Sequence, residues 1–399
     1  MARTLCAEIE SAREELVALC TDLVAAPSIN PPGRTAEVAA VVCRYLKAKG
    51  LNPEIVAADD EAPNVLAHAD GCKGGRQIVF NAHMDTMEAG DENAWTVPPL
   101  LLTRKDGCLY GLGMGNMKGA LAAMLLATAT LYKYRTNWNG RITLTAVSDE
   151  VMFGERGTVF LLRERADARG DFLISGEGPG FMDLAVAEKG LLWLDVEARA
   201  PGGHASRALR GATAVAKLAA FLARVDALND IYAVVPPELT GVSGGEDNVG
   251  LRLSLNAGTI VAGTVRSQIA PRARVELDIR LPPGIGARNC EEIVRAQAGG
   301  DPGITIRVVK AWDANWTALE NPVVAELAAA AEAVRGKRPA FVVRLPGSDA
   351  RRWRELGVPA ACYGPQPLLS AGVDDYANEQ DVIDCAKVYA CTALALLDR

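Results

Sequence analysis

The chain has 399 residues, of which 49% are hydrophobic, and its 49 acidic and 42 basic side chains give a net charge of −7. This acidic balance, without a basic block, argues against nucleic acid or an anionic membrane as the main partner. No run approaches the ~20 apolar residues of a membrane span, and the amino end lacks the order of a signal peptide, so we expect a cytoplasmic protein. The nine cysteines are scattered without a Cys-x-x-Cys pair and predict reduced, mostly buried thiols.

The first part of the chain alternates helical and strand patterns. The opening "IESAREELVALCTDLVAAPSI" predicts one helix that ends before Pro31, and a second helix covers about 35–49. Two short strands, "NPEIVAA" and "APNVLAHAD", precede the core strand "QIVF" that leads to His83. The apolar run "ALAAMLLATATLYKY" predicts a buried crossover helix, and the strands in "GRITLTAVSDE" and "GDFLISGEGPG" end in acidic residues. This alternation predicts a mostly parallel sheet.

From about Gly190 the pattern changes to a smaller module. Strand and helix signals follow in the order β-α-β-β-α-β as far as "GITIRVVKAW", which is the ferredoxin-like split motif. A helix at "NPVVAELAAAAEAVRG", a strand at "AACYGP" and a closing helix then resume the first pattern. The length of the chain also favours two domains of unequal size. We therefore predict an α/β fold in which a small domain, residues 189–313, is inserted between residues 1–188 and 314–399 of a larger one.

Side chains with metal-ligand chemistry follow three of the predicted core strands. His83 and Asp85 follow the first strand, Glu150 the second and Glu177 the third, while a Gly-rich loop carries Asn116. Open α/β sheets bind ligands at the carboxyl ends of their strands, and an Asp that shares a strand face with a His can accept the second N–H of the imidazole. Taken singly, each carboxylate is typical of a solvated surface. If these carboxylates and the imidazole converge at one edge of the sheet, they repel or desolvate one another unless a cation is bound. Together they therefore predict a metal site.

An ordered series of motifs resembles a known family. The motifs are "AHMDTMEAGDENAW", "DGCLYGLGMGNMKGALAAM", "SDEVMFGERGT", "ISGEGPG", "PGGHAS", "ELDIR", "GSDAR" and "ANEQDV". They fall in the same order in the metallohydrolases that include aminoacylase, acetylornithine deacetylase, succinyl-diaminopimelate desuccinylase and glutamate carboxypeptidase. The resemblance spans essentially the whole chain. It implies a metallopeptidase-like catalytic domain that binds two metals, with the inserted domain acting as a lid and forming a homodimer or higher homo-oligomer.

Three positions depart from the family's metal-binding pattern. The family's bridging Asp is Asn116 here, its adjacent Glu-Glu pair is Glu150 followed by Val, and its last ligating His is Asp375. By resemblance, His83, Asn116 and Glu177 keep one metal position, whereas the other loses its ligands. A neutral Asn offsets the mutual repulsion of two cations less than an Asp would. We therefore predict one labile divalent transition metal per subunit, Mn²⁺, Zn²⁺ or Fe²⁺ rather than copper.

Residues that the family uses in catalysis and substrate binding are retained in part. Glu150 can take a proton from metal-activated water, and Asp85 orients the metal-ligating imidazole. By resemblance, His204 stabilises developing negative charge in the other subunit's site. By the same resemblance Arg351 anchors a substrate carboxylate, while Gln268, where the family has Asn, and Asp375 reshape the substrate pocket. The retention of both Glu150 and His204 favours continued catalysis over a retired enzyme.

The most specific prediction concerns the substrate, a small molecule that carries a carboxylate. The lost ligands resemble those of enzymes that deaminate 5-nitroanthranilate to 5-nitrosalicylate. In that C–N hydrolysis the nitro group holds the negative charge of hydroxide attack on the ring, so a second metal is not needed. Two alternatives stay open: an N-acyl-amino-acid amidohydrolase or dipeptidase, and a non-catalytic oligomer that binds a metal or another ligand.

Overall fold

In the computed structural model of the protein, residues 1–180, 182–367 and 372–397 are described. The chain divides into two compact units. The large unit comprises residues 1–186, 317–341 and 348–399, and the small unit comprises residues 187–316 and 342–347. The predicted insertion, residues 189–313, lies within the small unit, whereas residues 342–347 were expected in the large one.

The opening segment, predicted as one helix, forms two. Ala12 interrupts it with φ −89° and ψ 14°, although buried Leu5, Ile9 and Leu16 continue the same apolar face across the break. Among the described helices, none combines the length and apolar character needed to cross a membrane. The helices are α1 (Ala2–Ser11), α2 (Arg13–Ala25), α3 (Ala36–Ala48), α4 (Gly119–Lys133), α5 (Thr158–Glu164), α6 (Ala214–Asp226), α7 (Ala287–Ala296), α8 (Pro322–Arg335), α9 (Ala350–Glu355) and α10 (Glu379–Leu397).

The strands follow the predicted order, with short additional pairs in the connections. They are β1 (Glu54–Ala57), β2 (Pro63–Asp70), β3 (Gln77–His83), β4 (Thr103–Lys105), β5 (Cys108–Tyr110), β6 (Arg141–Val147), β7 (Phe172–Ser175), β8 (Leu184–Glu188), β9 (Gly190–Arg199), β10 (Gly203–His204), β11 (Ser254–Ala262), β12 (Gln268–Ile269), β13 (Arg272–Leu281), β14 (Ile304–Trp312), β15 (Asn315–Trp316), β16 (Phe341–Arg344), β17 (Ala360–Cys362) and β18 (Tyr376–Asn378).

The large unit is built on a sheet whose centre is parallel. Its strand order is β1-β2-β6-β3-β7-β17-β8, in which β6, β3, β7 and β17 pair in parallel and the flanking pairs are antiparallel. The crossover helix α4 is buried from Gly119 to Leu131, as its apolar sequence predicts. Parallel strands joined by such helices all end at the same edge of the sheet.

The small unit contains an antiparallel sheet covered on one face by α6 and α7. Its strand order is β11-β13-β9-β14, and the chain visits the elements in the order β-α-β-β-α-β. Every second residue of β9 and β13 faces the helices, because side chains alternate along a strand. Phe221 of α6 and Cys290 of α7 lie fully buried in this core.

The core of the small unit should be sensitive to cavity formation at Phe221. We expect Phe221→Ala to lower the free energy of unfolding by about 3–5 kcal/mol, because the fully buried ring leaves a cavity when it is removed. The matched control is Val261→Ala, because the Val261 side chain is 69% exposed. This substitution should change the free energy of unfolding by less than about 0.5 kcal/mol. Urea denaturation followed by circular dichroism measures both, and equal midpoints would contradict this account of the core.

Candidate metal centre

Three neighbouring parallel strands bring the predicted ligands to one edge of the sheet. β3 ends at His83, which lies opposite Val147, the last residue of β6. On the other side of β3, Asn81 lies opposite Ser175, the last residue of β7. Glu150 and Glu177 follow these strand ends within a few residues. The register of the sheet therefore places His83, Glu150 and Glu177 together.

The side chains at this edge form a compact, buried donor group. One ligand atom from each of His83, Glu150 and Glu177 lies within 4.8 Å of the others. From His83 Nε2 the distances are 2.9 Å to Asn116 Oδ1, 3.3 Å to Glu177 Oε1 and 3.8 Å to Glu150 Oε2. Within residues 1–180, 182–367 and 372–397, no other set of three or more His, Cys, Asp and Glu side chains meets in this way. We call these four residues the metal group.

Asp85 orients His83 through its backbone instead of its carboxylate. His83 Nδ1 lies 2.8 Å from the carbonyl oxygen of Asp85 and 3.6 Å from its nearer carboxylate oxygen. The carboxylate accepts hydrogen bonds from Asn30 Nδ2 at 2.8 Å and from the backbone N–H groups of Val151 at 3.0 Å and Glu150 at 3.2 Å. The prediction that this carboxylate accepts the imidazole N–H is thus corrected. Its oxygens instead tie the segment after β6, which carries Glu150, to the segment after β3.

Asn116 is presented by the tight Gly-rich turn before α4. The turn spans Met114–Lys118, and the preceding Gly113 has φ 85°. A Cβ at Gly113 would also lie 2.5 Å from Thr86 Cγ2, so this position needs glycine for both its conformation and its close packing. The turn places Asn116 Oδ1 against His83 Nε2.

Asp375 lies beneath this turn. Its two carboxylate oxygens accept hydrogen bonds from the backbone N–H groups of Gly113 at 2.8 Å and Gly115 at 3.2 Å. The side chain is buried, and Asp375 is not part of the metal group. Asp375 thus supports the turn that carries Asn116, and its predicted contact with substrate stays a prediction.

The pKa shifts at the sheet edge show an excess of buried negative charge. Burial lowers the pKa of His83, but Asp85, Glu177 and Glu150 raise it well above its ordinary value overall. Burial raises the pKa of Glu150 well above its usual range; His83 opposes this shift, and Glu177 and Asp349 add to it. Burial also raises the pKa of Asp349 to about 6. A bound cation favours ionised carboxylates and neutral imidazole, so it would reverse these shifts.

The donor set of the metal group fits a divalent transition metal. It offers one imidazole nitrogen with carboxylate and amide oxygens, the combination suited to Mn²⁺, Zn²⁺ or Fe²⁺. The second nitrogen of the imidazole is engaged by a backbone carbonyl, which fixes the ring orientation as is typical of metal-ligating histidines. A divalent cation is therefore the group that these residues can hold.

Two residues near the site were missed from the sequence. Asp349, which immediately precedes α9, is half-buried and close enough for its charge to raise the pKa of Glu150. It stands in "GSDAR", the motif whose arginine, Arg351, is the residue predicted to bind substrate. Asn30 donates to both Asp85 at 2.8 Å and Asp149 at 3.2 Å. The only available signal for Asn30 was a polar residue directly before two prolines.

The remaining predicted residues lie in other places. His204 and Gln268 belong to the small unit, where they face each other across the pairing of β10 with β12. His204 is exposed, and its Nδ1 lies 2.8 Å from Ser206 Oγ. Arg351 is in α9 of the large unit, where its buried guanidinium pairs with Glu355 one turn later. The roles predicted for His204, Gln268 and Arg351 stay predictions.

Comparison with known proteins identifies the family. Residues 79–395, well over half of the chain, match the model of peptidase family M20/M25/M40. The chain belongs to this family. An N-formyl-4-amino-5-aminomethyl-2-methylpyrimidine deformylase of Halalkalibacterium halodurans is 33% identical over 157 residues, which are 39% of this chain and 36% of that relative. A probable succinyl-diaminopimelate desuccinylase of Staphylococcus epidermidis is 25% identical over 389 residues, 90% of this chain and 93% of the relative.

A solved structure of the same family shows the shared fold. The YXEP protein of Bacillus subtilis, a dinuclear metal-binding peptidase of the M20 family, has a TM-score of 0.72 at 13% identity, covering 98% of this chain and 99% of its own. The predicted family and fold class are confirmed, as is the predicted class of enzyme. This M20 protein is a metal-dependent hydrolase of C–N bonds.

Asp375 should affect metal binding through the turn that it supports. In Asp375→Asn an amide N–H₂ faces one of the backbone N–H donors, so we expect about a tenfold loss of Mn²⁺ affinity and a stability loss of about 1.5–3 kcal/mol. Isothermal titration with Mn²⁺ and urea denaturation measure these effects.

The control for this change is the adjacent carboxylate. Asp374 accepts two hydrogen bonds from Thr96, at 2.8 Å and 2.9 Å, outside the Gly-rich turn. Asp374→Asn should leave Mn²⁺ affinity unchanged. Equal affinities in the two variants would show that Asp375 does not position Asn116.

Proposed function

We propose that this M20 hydrolase cleaves the amide bond of a small N-acyl compound or dipeptide that carries a carboxylate, and that it uses one divalent cation per chain. The metal group carries this proposal, because it gathers a buried imidazole, two carboxylates and an amide oxygen at the edge where such sheets bind ligands. The two relatives support the bond type, since one is named as a deformylase and the other as a probable desuccinylase.

The altered ligand positions support one cation. Val151, where the family pattern has a second carboxylate, offers no ligating side chain, and its N–H is engaged by Asp85. Asp375, at the position of the last ligating His, supports the Gly-rich turn. Asn116 contributes a neutral oxygen in place of a bridging carboxylate. One cation per chain would distinguish this protein from its dinuclear relative.

The side chains of the metal group have separate roles in the proposed reaction. His83, Asn116 and Glu177 would hold the cation, which when bound polarises a carbonyl and makes water more acidic. Glu150, whose Oε2 lies 3.8 Å from His83 Nε2, would take the proton of the attacking water and deliver it to the departing nitrogen. Asp85 positions both the metal ligand His83 and the proton acceptor Glu150. Its carbonyl oxygen contacts the ring of His83, and its carboxylate accepts a hydrogen bond from the backbone N–H of Glu150.

Deamination of 5-nitroanthranilate stays a prediction that the relatives do not support. Their amide-cleaving names favour the alternative, an N-acyl-amino-acid amidohydrolase or dipeptidase. We still include 5-nitroanthranilate among the test substrates because the metal group has fewer ligands than the family pattern. A ring that delocalises negative charge requires less stabilisation by a cation. Membership of a hydrolase family favours either reaction over a non-catalytic oligomer.

The direct experiment offers both substrate classes to the same preparation. The purified protein with Mn²⁺ is incubated with N-formyl and N-succinyl amino compounds, with dipeptides and with 5-nitroanthranilate. Release of free amine from the first two groups supports the proposal. Ammonia and nitrosalicylate from the third group alone would overturn it in favour of the deaminase.

Replacement of Glu150 by Gln should separate catalysis from metal binding. Glu150→Gln removes the proton acceptor, so we expect kcat to fall by at least about a thousandfold while the protein still takes up metal. Glu155→Gln is the control, because Glu155 is an exposed carboxylate of the same segment. Kinetics and metal analysis of both variants test this, and substantial turnover by Glu150→Gln would exclude the proton-transfer role.

Metal stoichiometry tests the number of cations. We expect one equivalent per chain after dialysis against excess Mn²⁺, measured by plasma mass spectrometry. Asn116→Asp should bind the ion about tenfold more tightly, because a charged oxygen replaces a neutral one next to the cation. Two equivalents in the unaltered protein would contradict the proposal of a single cation.

A further inference from the structure

Helices α1 and α10 are held in a fixed antiparallel register. Glu10 of α1 pairs with Lys387 of α10 at 2.6 Å, and Arg13, the first residue of α2, pairs with Glu379 of α10 at 2.9 Å. One helical turn before Glu10 lies Cys6, and one turn after Lys387 lies Cys391. The Glu10–Lys387 ion pair therefore brings these cysteines to the same level of α1 and α10.

We propose that Cys6 and Cys391 are a modification site, a thiol pair that oxidants of the peroxide class convert into a reversible intramolecular disulfide between α1 and α10. Their Sγ atoms lie 3.5 Å apart, in hydrogen-bond contact. The proposal requires rotation of the two side chains to close this separation to the about 2 Å of a covalent bond. Both residues are only partly buried, so a small oxidant can reach them.

The surroundings divide the two thiols into an attacking and a resolving partner. The hydrogen bond from Cys391 and the charge of Lys387 outweigh burial and lower the pKa of Cys6 to about 7. The same hydrogen bond, with burial, raises the pKa of Cys391. Burial raises the pKa of Cys20 to about 12 and that of Cys290 to about 11, which makes those thiols poor nucleophiles.

The oxidation balances with hydrogen peroxide as the two-electron oxidant. The Cys6 thiolate attacks one peroxide oxygen, which forms the sulfenic acid and releases hydroxide that is protonated to water. The Cys391 sulfur then attacks the Cys6 sulfur, which forms the S–S bond and releases a second water. Two thiols are oxidised and one peroxide is reduced to two waters. A dithiol reductant restores both thiols by exchange.

The disulfide would join residues 385 positions apart in sequence. A link across so long a segment restricts the unfolded chain far more than the folded one, in which α1 and α10 already pack together. Oxidation should therefore raise resistance to unfolding without rearranging the fold. The other cysteines keep the reduced state that the sequence predicts.

The test is a thiol count on the full-length protein before and after hydrogen peroxide. We expect the nine thiols of the reduced chain to fall to seven, with a non-reducing peptide map that joins Cys6 to Cys391, and dithiothreitol to restore nine. Cys6→Ser should lose none. Cys391→Ser should form no disulfide, and its Cys6 should instead be trapped by dimedone as the sulfenic acid.

The control is Cys43→Ser, which removes a partly buried thiol from α3. This variant should lose two thiols on oxidation, as the unaltered protein does. Nine thiols remaining after peroxide, a map that joins other cysteines, or a bond between chains would each overturn the proposal. The peptide map of the unaltered protein decides the question even where a variant does not fold.

Discussion

The arrangement of the large unit depends on several carboxylates that are buried beside one imidazole. Removing an ion from water costs several kcal/mol even after relaxation, unless opposite charge or hydrogen bonds replace the lost solvent. At the amino end of α10 this condition is met within the chain, because Glu379 pairs with both Arg13 and Arg104. At the sheet edge, the nearest oxygens of the Asp85, Glu150 and Glu177 carboxylates all lie between 3.3 and 3.8 Å from a ring nitrogen of His83. The pKa of Glu150 is raised in consequence. A bound cation would lower it again, because it favours the ionised carboxylate.

The proposal of a single cation rests on a comparison of charges. Two unit charges 4 Å apart repel by about 4 kcal/mol at an effective dielectric constant of about 20, and two divalent ions by about four times as much. A bridging carboxylate offsets part of this repulsion because it attracts both ions. Asn116 cannot do so, and Val151 removes a further negative charge. Under the proposed function, the remaining donors would hold one ion, whose charge Glu177 and Glu150 would balance.

The sequence predicted the location of the site more fully than its internal contacts. Strand patterns that end at His83, Glu150 and Glu177 were sufficient, because parallel strands share their carboxyl edge. The hydrogen bond of His83 to the Asp85 carbonyl was not predictable, since it depends on what else competes for that carboxylate. The break at Ala12 was missed for a related reason. A single irregular residue leaves the apolar periodicity of a helix unchanged.

Asp375 stands where the family pattern has its last ligating His, and a carboxylate can do there what an imidazole cannot. A neutral imidazole has one ring nitrogen that accepts a hydrogen bond, whereas a carboxylate has two oxygens and can accept from two backbone donors at once. Asp375 uses both oxygens, on Gly113 and Gly115. By resemblance to the family pattern, Asp375 replaces a ligand for a second cation, and its two hydrogen bonds hold the turn that presents Asn116. An amide oxygen is a weaker ligand than a carboxylate, so it depends more on being held in place before the ion arrives. By this resemblance, the side chain of Asp375 accounts both for the loss of a His ligand and for the support of Asn116.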